Sequence, residues 1–95
     1  MNQRPTIACE EARRLVEDGA HLVDVRTPQE YVLGALPGAV NVPLQNLLAG
    51  IQQLEQGKPI ILYCASGMRS QQAAQALSLF GHAPVHDLGG LRNCQ

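Results

Sequence analysis

Tryptophan is absent and only three residues are aromatic. The chain therefore lacks the row of rings on which successive nucleic-acid bases stack. Neither sign of charge dominates. Seven Lys and Arg stand against eight Asp and Glu, a formal net charge of -1, which excludes nucleic acid or an anionic membrane as the main partner. No apolar run approaches the ~20 residues of a transmembrane helix. The opening stretch "MNQRPTIACEEARRL" carries charges but no continuous apolar segment, so no signal peptide is read and the cytoplasm is the expected compartment. Cysteine is sparse: Cys9, Cys64 and Cys94 are odd in number and far apart. That is no disulfide framework, and no C-x-x-C pair points to zinc. Three reduced thiols are expected.

What is present is an ordinary globular composition, 45% apolar over 95 residues, read as one domain over 1–95. "ACEEARRLVEDG" (8–19) has helical spacing, with Ala12, Leu15 and Val16 on one face and Gly19 as a stop. "HLVDV" (21–25) is a short buried strand. In "TPQEYVLG" (27–34), Thr27 can cap a helix, Pro28 suits its first turn and Glu30 completes a capping box. "AVNVP" (39–43) is a second strand. "LQNLLAGIQQLEQG" (44–57) is helical through Leu44, Leu47, Leu48, Ile51 and Leu54, weakened by Gly50 and ended by Gly57. "PIILY" (59–63) is apolar on both faces, as the centre of a parallel sheet requires. "MRSQQAAQALSLF" (68–80) is a helix with an expected inner face of Ala73, Ala76, Leu77 and Phe80. "PVHDL" (84–88) is the last strand, followed by a "GG" turn and a short tail. Alternating strands and helices predict an α/β fold: a small, mainly parallel central sheet with helices on both faces.

Active sites of such sheets lie outside the C-terminal ends of the strands, and Cys64 stands at one of them. A thiol attacks as its thiolate, and a free cysteine has a pKa of ~8.5. The loop Ala65, Ser66, Gly67, Met68, Arg69, Ser70 leads straight into a helix, whose unpaired N–H groups and positive dipole end favour an anion. Gly67 lets amides converge on one point. Arg69 adds a fixed positive charge if it turns back over the loop. Ser66 and Ser70 offer hydroxyls, either as donors to the sulfur or as a helix cap. The competing reading is a small buried hydrophobe, the usual lot of a free cysteine. The succession of strand, Cys, Gly-containing loop, Arg and helix favours a nucleophile.

Four stretches in order, "LVDVRTPQEY" (22–31), "GALPGAVNVPL" (34–44), "ILYCASGMRS" (61–70) and "LGGL" (88–91), resemble the rhodanese-homology sulfurtransferases, specifically a single-domain rhodanese, over nearly the whole chain. The resemblance implies a rhodanese-like fold and a double displacement through a persulfide on Cys64. A sulfane donor such as thiosulfate supplies the sulfur, and cyanide or a thiol accepts it. It implies a small sulfur donor and a thiol or protein acceptor as partners, and no metal or organic cofactor. Phosphatases of the same superfamily place five residues between Cys and Arg. Here four, "ASGM", separate Cys64 from Arg69, a shorter cup suited to sulfur.

Asp24 and Arg26 match the family's D-x-R and are expected to be structural, with Asp24 accepting loop amides and Arg26 pairing with Glu30 as an exposed pair. Three positions depart from the family. Position 65 is Ala where Arg or another polar residue is frequent, position 35 is Ala where His is frequent, and position 94 is Cys where Trp often stands. The family's closing C-terminal helix is expected to be short or absent. Cys9 and Cys94 read as packed or surface thiols, with a resolving role for Cys94 as the alternative. Two other functions remain open: a non-catalytic protein-binding or redox-sensing module, and a thiol-disulfide oxidoreductase using Cys64 and Cys94. His21, His82 and His86 read as solvated or hydrogen-bonded side chains rather than metal ligands.

Overall fold

The computed structural model describes residues 5–82 and 84–95. The first four residues, part of the stretch read above as lacking an apolar leader, lie outside the described residues. Four helices and four strands alternate: α1 Cys9–Glu17, β1 His21–Asp24, α2 Pro28–Val32, β2 Val40–Asn41, α3 Leu47–Gln52, β3 Ile60–Cys64, α4 Met68–Leu79 and β4 Val85–Gly90. A 3-10 turn, Leu44–Asn46, leads into α3, and another, Leu91–Cys94, follows β4. No helix among the described residues is long and apolar enough to cross a membrane.

The strands form one sheet in the order β2-β1-β3-β4, and every pairing is parallel. Because side chains alternate across a strand, the sheet feeds two cores. Val23, Val25, Ile60, Leu62 and Cys64 pack with Leu47 and Ile51 of α3 and with Ala73, Ala74 and Leu77 of α4. Leu22, Ile61, Tyr63 and Leu88 pack on the other face with Ala12 of α1 and the half-buried Tyr31 of α2. Helices thus cover both faces, and β3 is buried at all five positions.

The start of α2 follows its sequence signature. The Thr27 hydroxyl accepts from the Glu30 N–H at 3.1 Å while the Thr27 N–H donates to Glu30 Oε1 at 3.0 Å, with Pro28 in the first turn. The inner face of α4 differs from expectation. Ser70, Ala73, Ala74 and Leu77 are buried, Ala76 is half-buried, and Phe80 is 66% exposed. Phe80 caps the helix after its last turn, at the rim of a cleft near Ile60, the first residue of β3. Leu48, one of the apolar residues that marked the helical spacing, is exposed on α3. Gly50 has a packing reason: a Cβ there would overlap the Val42 side chain.

Candidate active site

After β1 the chain passes through α2 to β2 at one edge, and after β3 it passes through α4 to β4 at the other. The C-terminal ends of β1 and β3 therefore flank the point where the winding reverses, the usual ligand position of such sheets. Asp24 and Arg26 stand at the end of β1, and Cys64 closes β3.

Cys64 is fully buried, and its Sγ accepts two backbone amides, from Gly67 at 3.0 Å and from Ser70 at 3.3 Å. Both belong to the first turn of α4 or its cap, so the unpaired donors of a helix N-terminus meet the sulfur. Gly67 makes this possible with φ 104°, a left-handed conformation that other residues resist. Gly90 permits the second close approach. A Cβ there would lie 2.9 Å from the Ala65 carbonyl oxygen, so the end of β4 rests directly against the loop. The arrangement aims two backbone donors at one sulfur.

The charged residues pair differently from expectation. Arg26 bonds Asp24, not Glu30. Its Nη2 lies 2.7 Å from Asp24 Oδ2, its Nε lies 3.0 Å from both carboxylate oxygens, and its own N–H donates to Oδ1 at 2.9 Å. This pair is buried rather than exposed. The same guanidinium donates to the Gly34 carbonyl at 2.6 Å and lies over the Tyr63 ring. Asp24 does accept a loop amide, as expected, but that amide is Arg26's own. The reason is local: Arg26 lies in the bend between β1 and α2, where its side chain folds back onto the strand end. Glu30 instead takes Arg69 in a bidentate pair, 2.7 and 3.0 Å. The Arg69 guanidinium and the Thr27 N–H hold the Glu30 carboxyl down to about 2. Glu30 in turn raises Arg69, with the nearby Cys64 adding to the effect. Arg69 therefore sits within electrostatic reach of the sulfur but is neutralised by a carboxylate, not free over the loop.

Of the two loop serines, Ser66 is exposed, and Ser70 uses its N–H, not its hydroxyl, toward the sulfur. The helix cap is Gly67, with no side-chain cap. Ala65 and Met68 are exposed beside it and line, with Gly67, Asp87 and Arg92, a cleft of about 580 Å³. Ala35 lines a separate cleft with Arg26 and Glu30. Two contributors went unnoticed in the sequence. Asp87 of β4 accepts the Ser70 hydroxyl at 2.7 Å, and Tyr63 accepts the Leu36 N–H at 3.0 Å. Burial pushes the Tyr63 phenol up to about 12. A single Asp in a strand pattern carries no spacing signal that would have marked it.

Cys9 and Cys94 are joined in a disulfide across 85 positions, and Cys64 alone is free. This overturns the expectation of three reduced thiols. While that bond stands, Cys94 is neither a resolving thiol nor a partner for Cys64. The Leu91–Cys94 turn packs beside α1 on the second core, which brings the two Cα atoms to 5.3 Å, within bridging range.

The rhodanese-like domain family matches residues 8–94. The chain belongs to that family. It is 36% identical over 84 residues to the thiosulfate sulfurtransferase GlpE of Pseudomonas paraeruginosa, covering 88% of this chain and 76% of that protein. It is 33% identical to the thiosulfate sulfurtransferase PspE of Escherichia coli over 77% of this chain and 72% of the other. Among solved structures, the human single-domain sulfurtransferase TSTD1 superposes with TM-score 0.79 at 28% identity, covering 95% of this chain and 94% of that one. The Bacillus anthracis CoADR-RHD protein gives 0.81 at 34% identity over 94% of this chain, which corresponds to 16% of that larger chain.

Proposed function

We propose that the protein moves a sulfane sulfur through a persulfide on Cys64. Sulfurtransferase is the enzyme class of curated relatives aligned over most of the chain, and on that ground the chain is a rhodanese-type sulfurtransferase. The persulfide route, the donor and the acceptor are the proposal. The observation that carries it is the single free thiol placed at the focus of the Gly67 and Ser70 amides. The Cys64 thiolate attacks the outer sulfur of thiosulfate or another sulfane compound. The sulfur–sulfur bond of the donor breaks, sulfite leaves with its electron pair, and Cys64 carries the persulfide anion. Cyanide or a thiolate then takes the outer sulfur, and the thiolate returns to the cup. Each step exchanges one anion for another, so no general base, metal or organic cofactor is required. The loop Ala65–Ser70 binds the donor, while Asp24, Arg26 and Glu30 support it.

The test is mass spectrometry of the protein after exposure to a panel of sulfane donors. One added sulfur atom on Cys64, removed by cyanide as thiocyanate, is the expected result. A Cys64→Ala protein that forms thiocyanate as fast as wild type refutes the proposal. A Cys64 that no donor labels, with a stoichiometric protein partner recovered, returns the non-catalytic module.

A further inference from the structure

We propose that Asp87 is a positioning residue for the nucleophile, acting through Ser70. The inference rests on the persulfide reading only in naming Cys64 as the reacting atom. Asp87 leaves β4 at a bulge: Leu62 pairs with Asp87 but Tyr63 pairs with Gly89, so Leu88 is the extra residue. Bulges re-aim side chains beside active sites. Here Leu88 packs into the core with α1, while Asp87 meets α4.

A single carboxylate oxygen then does two things. Asp87 Oδ1 accepts the Ser70 hydroxyl at 2.7 Å and the Gly89 N–H at 2.9 Å. Ser70 is fully buried, and its N–H is one of the two that hold the sulfur, at 3.3 Å. Its hydroxyl oxygen also lies 3.1 Å from the carbonyl of Gly67, the residue that supplies the other amide. Gly89 leads into Gly90, which presses on the Ala65 carbonyl from the far side of the loop. Asp87 thus fixes the loop from behind through Ser70 and from the side through the glycine turn. A carboxyl group only 3% exposed is costly to bury without hydrogen-bond partners, and Asp87 has two on one oxygen. Its value is as a short, strong acceptor that sets where α4 begins.

The experiment compares Ser70→Ala, Asp87→Ala, the double variant and Asp87→Asn. The readouts are the alkylation rate of Cys64 by iodoacetamide and thiocyanate turnover. With Cys9 and Cys94 paired, Cys64 is the thiol that alkylates. Ser70→Ala and Asp87→Ala are each expected to slow alkylation about tenfold, the scale of one hydrogen bond to a charged group. The double variant is expected to be no slower than either, because both remove one linkage. Asp87→Asn keeps an acceptor oxygen for both donors and is expected to regain most of the lost rate. Additive losses in the double variant, or an Asp87→Asn protein as slow as Asp87→Ala, overturn the proposal. If Asp87→Ala does not fold, Ser70→Ala against Asp87→Asn decides alone: a slow Ser70→Ala with a fast Asp87→Asn supports it, and any other order refutes it. Alkylation needs no sulfur donor, so a failure of the persulfide reading shows separately, as turnover that survives in Cys64→Ala.

Discussion

Gly67→Ala separates the backbone strain of the cup from its chemistry. Gly67 has φ 104°, and a Cβ added there would touch nothing closer than the Gly90 nitrogen at 3.6 Å, an ordinary contact. The substitution therefore introduces strain without a clash. Left-handed backbone costs a non-glycine residue ~1–2 kcal/mol. Gly57 supplies the control, with φ 87° and nothing within 4 Å, away from Cys64 and its loop. Both alanine variants are expected to lose ~1–2 kcal/mol in urea unfolding. For a domain of this size that lowers the melting temperature by roughly 5–15 °C. They should part in activity. Alanine at 67 relieves its strain by rotating the peptide that presents the N–H to Cys64 Sγ. Losing a charge-assisted hydrogen bond of ~1.5–3 kcal/mol slows thiocyanate formation roughly 10- to 100-fold. Gly57→Ala is expected to turn over as wild type. Thiosulfate:cyanide assays at 20 °C, corrected for the folded fraction, make the comparison. Equal turnover in the two variants would falsify the role of the Gly67 amide.

Three further outcomes are expected. The folded Glu30 carboxyl is held at about 2, below its unfolded value of ~4.3, so its stabilisation is present above that value and lost as pH falls toward 2. With the Glu30 side chain 35% exposed, solvent screening leaves ~1 kcal/mol; the stability gap between wild type and Glu30→Gln should shrink over pH 5 to 2, and a constant gap would count against the Arg69 pair. The unreduced, denatured protein should show one titratable thiol and the reduced protein three; reduction should also lower stability by up to ~4.6 kcal/mol on the chain-entropy account, and an unchanged urea midpoint would refute that contribution. Phe80→Ser should alter stability by less than ~0.5 kcal/mol, whereas Ala74→Leu should cost ~1–3 kcal/mol by overpacking; the reverse order would restore the face expected from spacing.

Most of the fold was legible because its determinants are local. The apolar run 60–63, the Thr27–Glu30 capping box and the Gly19 stop each act over a few residues and stand where the pattern put them, whereas α3 ends at Gln52, well short of the expected stop at Gly57. Cys64 was legible for the same reason, since strand, loop and helix follow one another directly. The partners of the charged residues were not. Spacing four apart pointed Arg26 to Glu30, but that rule holds within a helix, and Arg26 precedes α2. Arg69 reaches Glu30 across 39 positions, a distance that no local pattern encodes. The contact between Ser70 and Asp87 was hidden because periodicity counts apolar residues, and this buried pair is polar. The Cys9–Cys94 bond was hidden by an odd cysteine count, in which Cys64 was as eligible as either.

The bond between Cys9 and Cys94 also changes what kind of object the chain is. It closes a covalent ring around every strand and helix among the described residues. A single peptide cleavage in a surface loop, such as that around Gly57, leaves one molecule rather than two fragments. A machine that unfolds the domain by pulling from its C-terminal side meets the bridge before it reaches any strand. It must then draw two strands through its pore side by side, or wait for a reductant.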